Sequence, residues 1–153
     1  MHPGVIEAQP DHLPWLAERL RMPDAAELLA ATGCDPIEAL RYSLHVSVYS
    51  WVWYVDGEPG CVFGLAAPSL ISDCAMPWLM TTPAIERRPI EFLRGSRRVL
   101  AHMLRLYPHL EGYVDTRHDV SIHWLRWLGF TIHEAELMGP FRLPFHRFEK
   151  WST

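Results

Sequence analysis

The chain has 153 residues, 49 % of them hydrophobic and 12 % aromatic, enough to bury one sizeable core and too apolar to stay disordered. A formal net charge of −4 excludes the basic footprint of a general nucleic-acid binder. Three cysteines (Cys34, Cys61 and Cys74) are odd in number and form no C-x-x-C pair, which argues against a disulfide framework or a zinc ribbon and suits a reducing cytoplasm.

The N-terminus lacks the charged-then-apolar pattern of a signal peptide, and no apolar run reaches about 18 residues, so residues 1–153 are expected to form one cytoplasmic domain with no membrane span. Val5 to Ala8 reads as a short strand. Asp11 caps a helix to about Arg21, with Pro14 tolerated in its first turn. Pro23-Asp24 restarts a helix that stops before Gly33, and Asp35-Pro36 starts another with Ile37, Leu40 and Leu44 on one face. Tyr49 to Val55 and Gly60 to Ala67 read as a hairpin around Asp56-Gly57-Glu58-Pro59. Both strands are apolar on both faces, which predicts a mid-sheet position with cover on each side.

Ala75 to Thr81 is the next strand, although Pro77 weakens its start. Thr82 to Pro89 reads as a loop, followed by a long helix to about Tyr107 with Leu93, Leu100, Leu104 and Tyr107 as its apolar stripe. Leu110 to Asp115 is a strand. Asp119 caps a helix to Leu128 with Val120, Trp124 and Trp127 on one face, and Gly129 ends it. Phe130 to Glu136 and Phe141 to Phe148 form a last hairpin, whose Phe141, Phe145 and Phe148 are candidates for pairing with a partner. Trp51, Trp53, Trp124 and Trp127 are assigned to core packing. The condensed order is β-α-α-β-β-β-α-β-α-β-β.

This order, together with Asp119 to Phe130, an amphipathic helix closing in Gly129-Phe130 after a strand, resembles the GNAT N-acyltransferases. The resemblance implies an α/β (α+β) fold with a mixed, mostly antiparallel sheet flanked by helices, and acetyl-CoA as co-substrate. Motif similarity runs from about Leu79 to Ile132. The Trp-Leu-Arg-Trp-Leu-Gly-Phe segment and the chain length also resemble a narrower group, the GNAT-like internal virion or morphogenesis proteins of T7-like bacteriophages.

In the family, CoA's pyrophosphate rests on backbone N–H groups between the fourth strand and the next helix, in an Arg/Gln-x-x-Gly-x-Gly/Ala loop. Arg94-Gly95-Ser96-Arg97 is the nearest fragment here and lacks the second small residue. Six of the fourteen basic residues lie between Arg87 and Arg105. Arg87, Arg88, Arg94 and Arg97 either surround the phosphates or form a solvated helix face. Gly95 marks either a close backbone approach or a helix start near Arg94. By the resemblance, pantetheine lies against Leu79, Met80 and Thr81, in a gap between the fourth and fifth strands.

The catalytic groups match less well. Ala75 to Thr81 holds no carboxylate for a base, and Asp73 and Glu86 only flank it. The family's Tyr that protonates the thiolate is replaced by Leu125. His118 falls where the family commonly has Asn; it is either a catalytic or cofactor-binding histidine or a surface loop histidine beside Asp115 and Asp119. No H-x-x-x-H or Cys/His spacing suggests a metal, and no G-x-S-x-G elbow or P-loop is present. Two functions follow: an N-acyltransferase acting on a small-molecule or protein amine, or a phage virion or host-interaction protein that keeps the fold without turnover.

Overall fold

The computed structural model describes residues 2–153. Its strands are β1 (Val5–Glu7), β2 (Ser47–Val55), β3 (Glu58–Ala66), β4 (Cys74–Thr81), β5 (His109–Asp115), β6 (Thr131–Met138) and β7 (Leu143–Trp151). Its helices are α1 (Leu13–Arg19), α2 (Met22–Thr32), α3 (Pro36–Val46), α4 (Pro89–Leu106) and α5 (Asp119–Trp127). One sheet runs β1-β2-β3-β4-β5-β7-β6. All its pairings are antiparallel except β4 with β5. The mixed, mostly antiparallel sheet flanked by helices is the architecture expected. Three helices separate β1 from β2 where the condensed order counts two, and the loop after β4 contains a 3-10 turn over Pro83–Arg87. No helix among the described residues is long and apolar enough to cross a membrane.

The two apolar faces of the β2–β3 hairpin do what their composition predicts. Val52 and Val62 pack with Leu13, Leu16, Leu28 and Leu40 under α1–α3. Trp53, Cys61, Phe63 and Leu65 pack with Val99, Leu100 and Met103 of α4 and with Ile122 and Leu125 of α5. Gly129 takes a φ of 95°, a left-handed value that a Cβ would oppose, and sends the chain from α5 into β6. Phe130 then plugs the core edge-on against Phe148.

Three expectations about faces are corrected. The buried face of α4 carries Gly95, Ser96, Val99, Leu100 and Met103, while Leu93 is 37 % exposed. On α5 the buried residues are Ile122 and Leu125, whereas Val120 is 66 % and Trp127 44 % exposed. Of the Val120-Trp124-Trp127 stripe only Trp124 packs against the core, and Trp127 is not a core residue. In the last hairpin Phe145 and Phe148 are buried and only Phe141 is exposed, so no phenylalanine cluster is offered to a partner.

Gly95 marks a close approach, and the neighbour is the Trp53 ring. A Cβ there would stand 2.1 Å from its Cη2 atom, and Trp53 is buried and held by Phe92. Gly95→Ala should therefore destabilise the fold by about 1–3 kcal/mol through overpacking, although alanine in a helix interior is worth about 1 kcal/mol over glycine. Urea unfolding measures the sign, and a stabilised variant would refute the contact.

Candidate active site

Strands β4 and β5 pair at two positions only, Cys74 with His109 and Ala75 with Leu110. The reason lies in β4. His109 N–H donates to Asp73 C=O, 3.1 Å, so the odd-numbered residues of β4 turn their backbone groups towards β5, while the even-numbered ones serve β3. The next odd position is Pro77, which has no N–H to extend the ladder. Beyond it the strands separate. Leu79 then directs its N–H and C=O into the gap by the two-residue alternation of a strand. At the far end Thr81 N–H donates to Asp24 Oδ2, 2.6 Å, its C=O accepts from Arg21 N–H, 2.9 Å, and its hydroxyl also bonds to Asp24.

The gap opens into a cavity of about 830 Å³. Its walls come from β4 (Leu79, Met80), α2 (Asp24, Glu27), α4 (Phe92, Leu93, Ser96) and α5 (Val120, Ser121, Trp124, Trp127), together with His118. The exposed apolar stripe of α5 is thus a cavity wall. Trp53, Phe92 and Trp124 lie in succession with ring centroids 5.4 and 5.6 Å apart. Trp124 Nε1 is buried and has no hydrogen-bond partner. A buried N–H left unpaired costs about 1–3 kcal/mol, and this one belongs to a ring that lines the cavity.

His118 is no surface histidine; it is 9 % exposed. Its Nδ1 donates to Glu27 Oε2 at 2.7 Å, and its Nε2 lies 3.1 Å from Ser121 Oγ and 3.5 Å from Asp24 Oδ1. The hydrogen bond to Glu27 raises the imidazole pKa above its ordinary value, with burial opposing and the charges of Glu27 and Asp24 reinforcing it. Glu27 Oε1 also accepts Asp115 N–H, 3.1 Å. Burial alone would raise the Asp115 carboxyl, but hydrogen bonds from the Arg117 side chain and N–H hold it below its usual range. One helix, α2, therefore ties the free end of β4 to the end of β5 through Asp24, Glu27 and His118.

The sequence-predicted site residues divide sharply. Leu79, Met80, Thr81, Ser96 and His118 line the cavity. Met80 is spent on β3 by the same alternation that frees Leu79, and Ser96 Oγ donates back to Phe92 C=O, 2.6 Å. Arg87 and Arg88 are ion-paired to Glu58 and Asp56 at the β2–β3 turn. Neither lines the cavity. Arg94 and Arg97 are exposed on α4 and do not line the cavity either; Arg97 lies 4.1 Å above the ring of Trp127, which does. Leu125 is buried in the core and supplies no proton. Sequence reasoning missed Asp24 and Glu27. Asp24 reads as an ordinary first-turn helix acid and Glu27 as an acid of the following turn, and only Asp24 carries a visible signal, as the residue after Pro23.

The residues present fit part of an acyl-CoA. The gap, the Leu79 backbone, the aromatic wall and the unpaired Trp124 Nε1 suit an amide-bearing pantetheine arm. The start of α4 is a poorer phosphate cradle: Pro89 occupies its first position without an N–H, and Glu86 stands beside it, paired to Arg21 at 3.1 Å. Charge for phosphates would come from Arg94 and Arg97 instead.

No protein-family model matches the chain, and no curated protein does. Solved structures do. A Salmonella typhimurium acetyltransferase that modifies the N-terminal serine of ribosomal protein L7/L12 superposes with a TM-score of 0.72 at 12 % identity, over 97 % of this chain and 94 % of that one. Spermidine N-acetyltransferase from Vibrio cholerae, in complex with CoA and spermine, gives 0.67 at 13 % identity over 96 % and 94 %. A GNAT-family acetyltransferase from Streptococcus pneumoniae gives 0.63 at 13 % over 97 % and 98 %. The chain has the GNAT fold.

The raised pKa of His118 links stability to pH. The folded state binds this proton more tightly than the unfolded chain, whose histidine titrates near 6.5. The stabilisation is therefore full below about pH 6.5 and is lost as pH rises through the raised folded value. Urea unfolding at successive pH values should show the wild type losing stability across that window and His118→Gln losing less; parallel curves would refute the linkage.

Proposed function

We propose that the chain is a GNAT-type N-acyltransferase that takes acetyl-CoA as co-substrate and acetylates an amine. The observation that carries this reading is the β4–β5 gap, which opens on a cavity lined by Trp124 and by the buried His118. Leu79 pairs with the pantetheine arm as an added strand would, Trp124 Nε1 donates to one of its carbonyls, and Arg94 and Arg97 meet the phosphates at the mouth. Arg87 and Arg88, held by the β2–β3 turn, take no part.

The transfer forms a C–N bond and breaks a C–S bond; the amine loses one proton and the departing thiolate gains one. His118, whose protonated form the hydrogen bond to Glu27 favours, supplies the thiolate's proton by way of Ser121. Asp24 Oδ1, whose companion oxygen is taken by Thr81, accepts the proton from the amine. Asp24, Glu27 and Glu86 give the acceptor side an acidic lining that suits a small-molecule or protein amine, which arrives as an ammonium and releases its extra proton to solvent before the attack. Residues 1–153 act as one domain, and three free cysteines suit the cytoplasm. A virion-assembly or host-interaction role has no observation in its favour.

Binding to the native state raises the melting temperature, so acetyl-CoA at millimolar concentration should raise it for the wild type, and Arg94→Ala with Arg97→Ala should diminish the rise. An unchanged melting temperature would sink the cofactor reading. His118→Gln should lower kcat by about 10²–10⁴-fold, the range of general acid–base catalysis, while the KM for acetyl-CoA stays within a few-fold. Trp124→Phe should do the opposite, raising that KM by up to about tenfold for the loss of one hydrogen bond with kcat little changed. Thiol release across a panel of amines reads both.

A further inference from the structure

At the closed end of the gap, on the sheet face opposite α4 and α5, lies a second cluster that the transfer chemistry does not use. Strand alternation places it there: Leu110, Val114 and Phe148 enter the core beneath α4 and α5, so His109, Glu111 and Glu149 point the other way. Cys74 Sγ, His109 Nε2 and a Glu111 carboxylate oxygen all lie within 4.8 Å of one another. Glu149 sits directly opposite Glu111 on paired strands, and its Oε2 is 3.8 Å from His109 Nε2. Glu111 Oε2 is likewise 3.8 Å from that nitrogen.

Three features call for a cation here. His109 Nε2 is buried and has no hydrogen-bond partner, and so is His133 Nε2, which stands 3.6 Å from Glu149 Oε2 on the adjoining strand. Two carboxylates directly opposite each other repel, and a single cationic atom, Arg147 Nη1, is shared between them, ion-paired to Glu149 and 3.4 Å from Glu111. The separations of 3.6–3.8 Å are too long for hydrogen bonds. The two 3.8 Å separations from His109 match the ligand-to-ligand edges, about 3.3–3.8 Å, of a tetrahedron with zinc bond lengths of about 2.0–2.3 Å.

We propose that Cys74 Sγ, His109 Nε2 and Glu111 bind one zinc-class divalent cation, that Glu149 turns in from beyond this trio as the fourth ligand, and that His133 stands behind Glu149. One thiolate, one imidazole and two carboxylates are a donor set of zinc's borderline softness. The thiol gives its proton to solvent as the metal–sulfur bond forms. With four protein ligands the site is structural. It joins β4, β5 and β7 at the point where β4 and β5 share only two paired positions, and so fastens the apex from which the gap opens. No sequence spacing reveals it, because the ligands come from three strands that meet only in the sheet.

Untagged protein stripped with chelator and titrated with cobalt(II) should take up one equivalent, with a sulfur-to-cobalt charge-transfer band and the visible bands of a tetrahedral ion, both abolished by added zinc. Cys74→Ser should remove the charge-transfer band, Cys34→Ser should leave it, and His109→Gln or Glu111→Gln should weaken uptake more than tenfold. Zinc should also slow alkylation of Cys74, located by mass spectrometry, in the wild type; this readout needs no variant to fold. Absence of the band at stoichiometric cobalt, a band that survives Cys74→Ser, or equal alkylation of Cys74 with and without zinc would each overturn the proposal. Loss of metal binding would leave the acetyl-CoA melting shift to be judged separately.

Discussion

Everything distinctive about this molecule depends on a parallel ladder that stops after two rungs. Strands β4 and β5 share the sheet at Cys74–Ala75 and His109–Leu110, and Pro77 then withholds the donor that a third rung needs. A central sheet with unpaired backbone groups would ordinarily be costly. Here the cost is met at the open end, where Asp24 and Arg21 satisfy both backbone groups of Thr81. The stretch around Leu79 is left with polar backbone facing a cavity, which is what a ligand that pairs like a strand requires.

The two layers of helices divide the remaining work. Helices α1–α3 cover β2–β4 with Leu13, Leu16, Leu28 and Leu40, and α2 carries Asp24 and Glu27 across the mouth of the gap. Helices α4 and α5 cover the opposite face through Val99, Leu100, Met103, Ile122 and Leu125. Their shared rim, with Phe92, Leu93, Trp124 and Trp127, is left as a cavity wall. Close packing of α4 depends on Gly95, which lets the helix settle onto Trp53. That ring in turn begins the aromatic row through Phe92 to Trp124. A glycine that resembles part of a phosphate loop in sequence is thus a packing residue, one step removed from the cavity wall.

Buried charge is concentrated where the chemistry is proposed. Asp24, Asp115 and His118 are the ionisable residues of the cavity end that are most buried, and each has partners of opposite charge or backbone donors. Breaking a buried pair leaves an uncompensated charge, which is strongly unfavourable. The Asp24–His118–Glu27 set therefore holds its geometry, and the same contacts that raise the His118 pKa also fix the spacing between α2 and the end of β5. Rigidity and acid strength have one origin there.

The sequence by itself determined the elements and most of their faces, because those are local. The two-faced apolar pattern of Tyr49 to Ala67, the Asp35-Pro36 start and the Gly129-Phe130 exit each follow from the conformational preferences of a few adjacent residues. The tertiary structure decided the site, because its contacts join residues far apart in the chain. His118 meets Glu27 across 91 positions, and Arg87 and Arg88 meet Glu58 and Asp56 across 29 and 32; no local pattern encodes either partner. The same limit explains the stripe of α5. Periodicity identifies Val120, Trp124 and Trp127 as one apolar face, but whether such a face meets core or cavity depends on what lies opposite, and opposite it the sheet has opened.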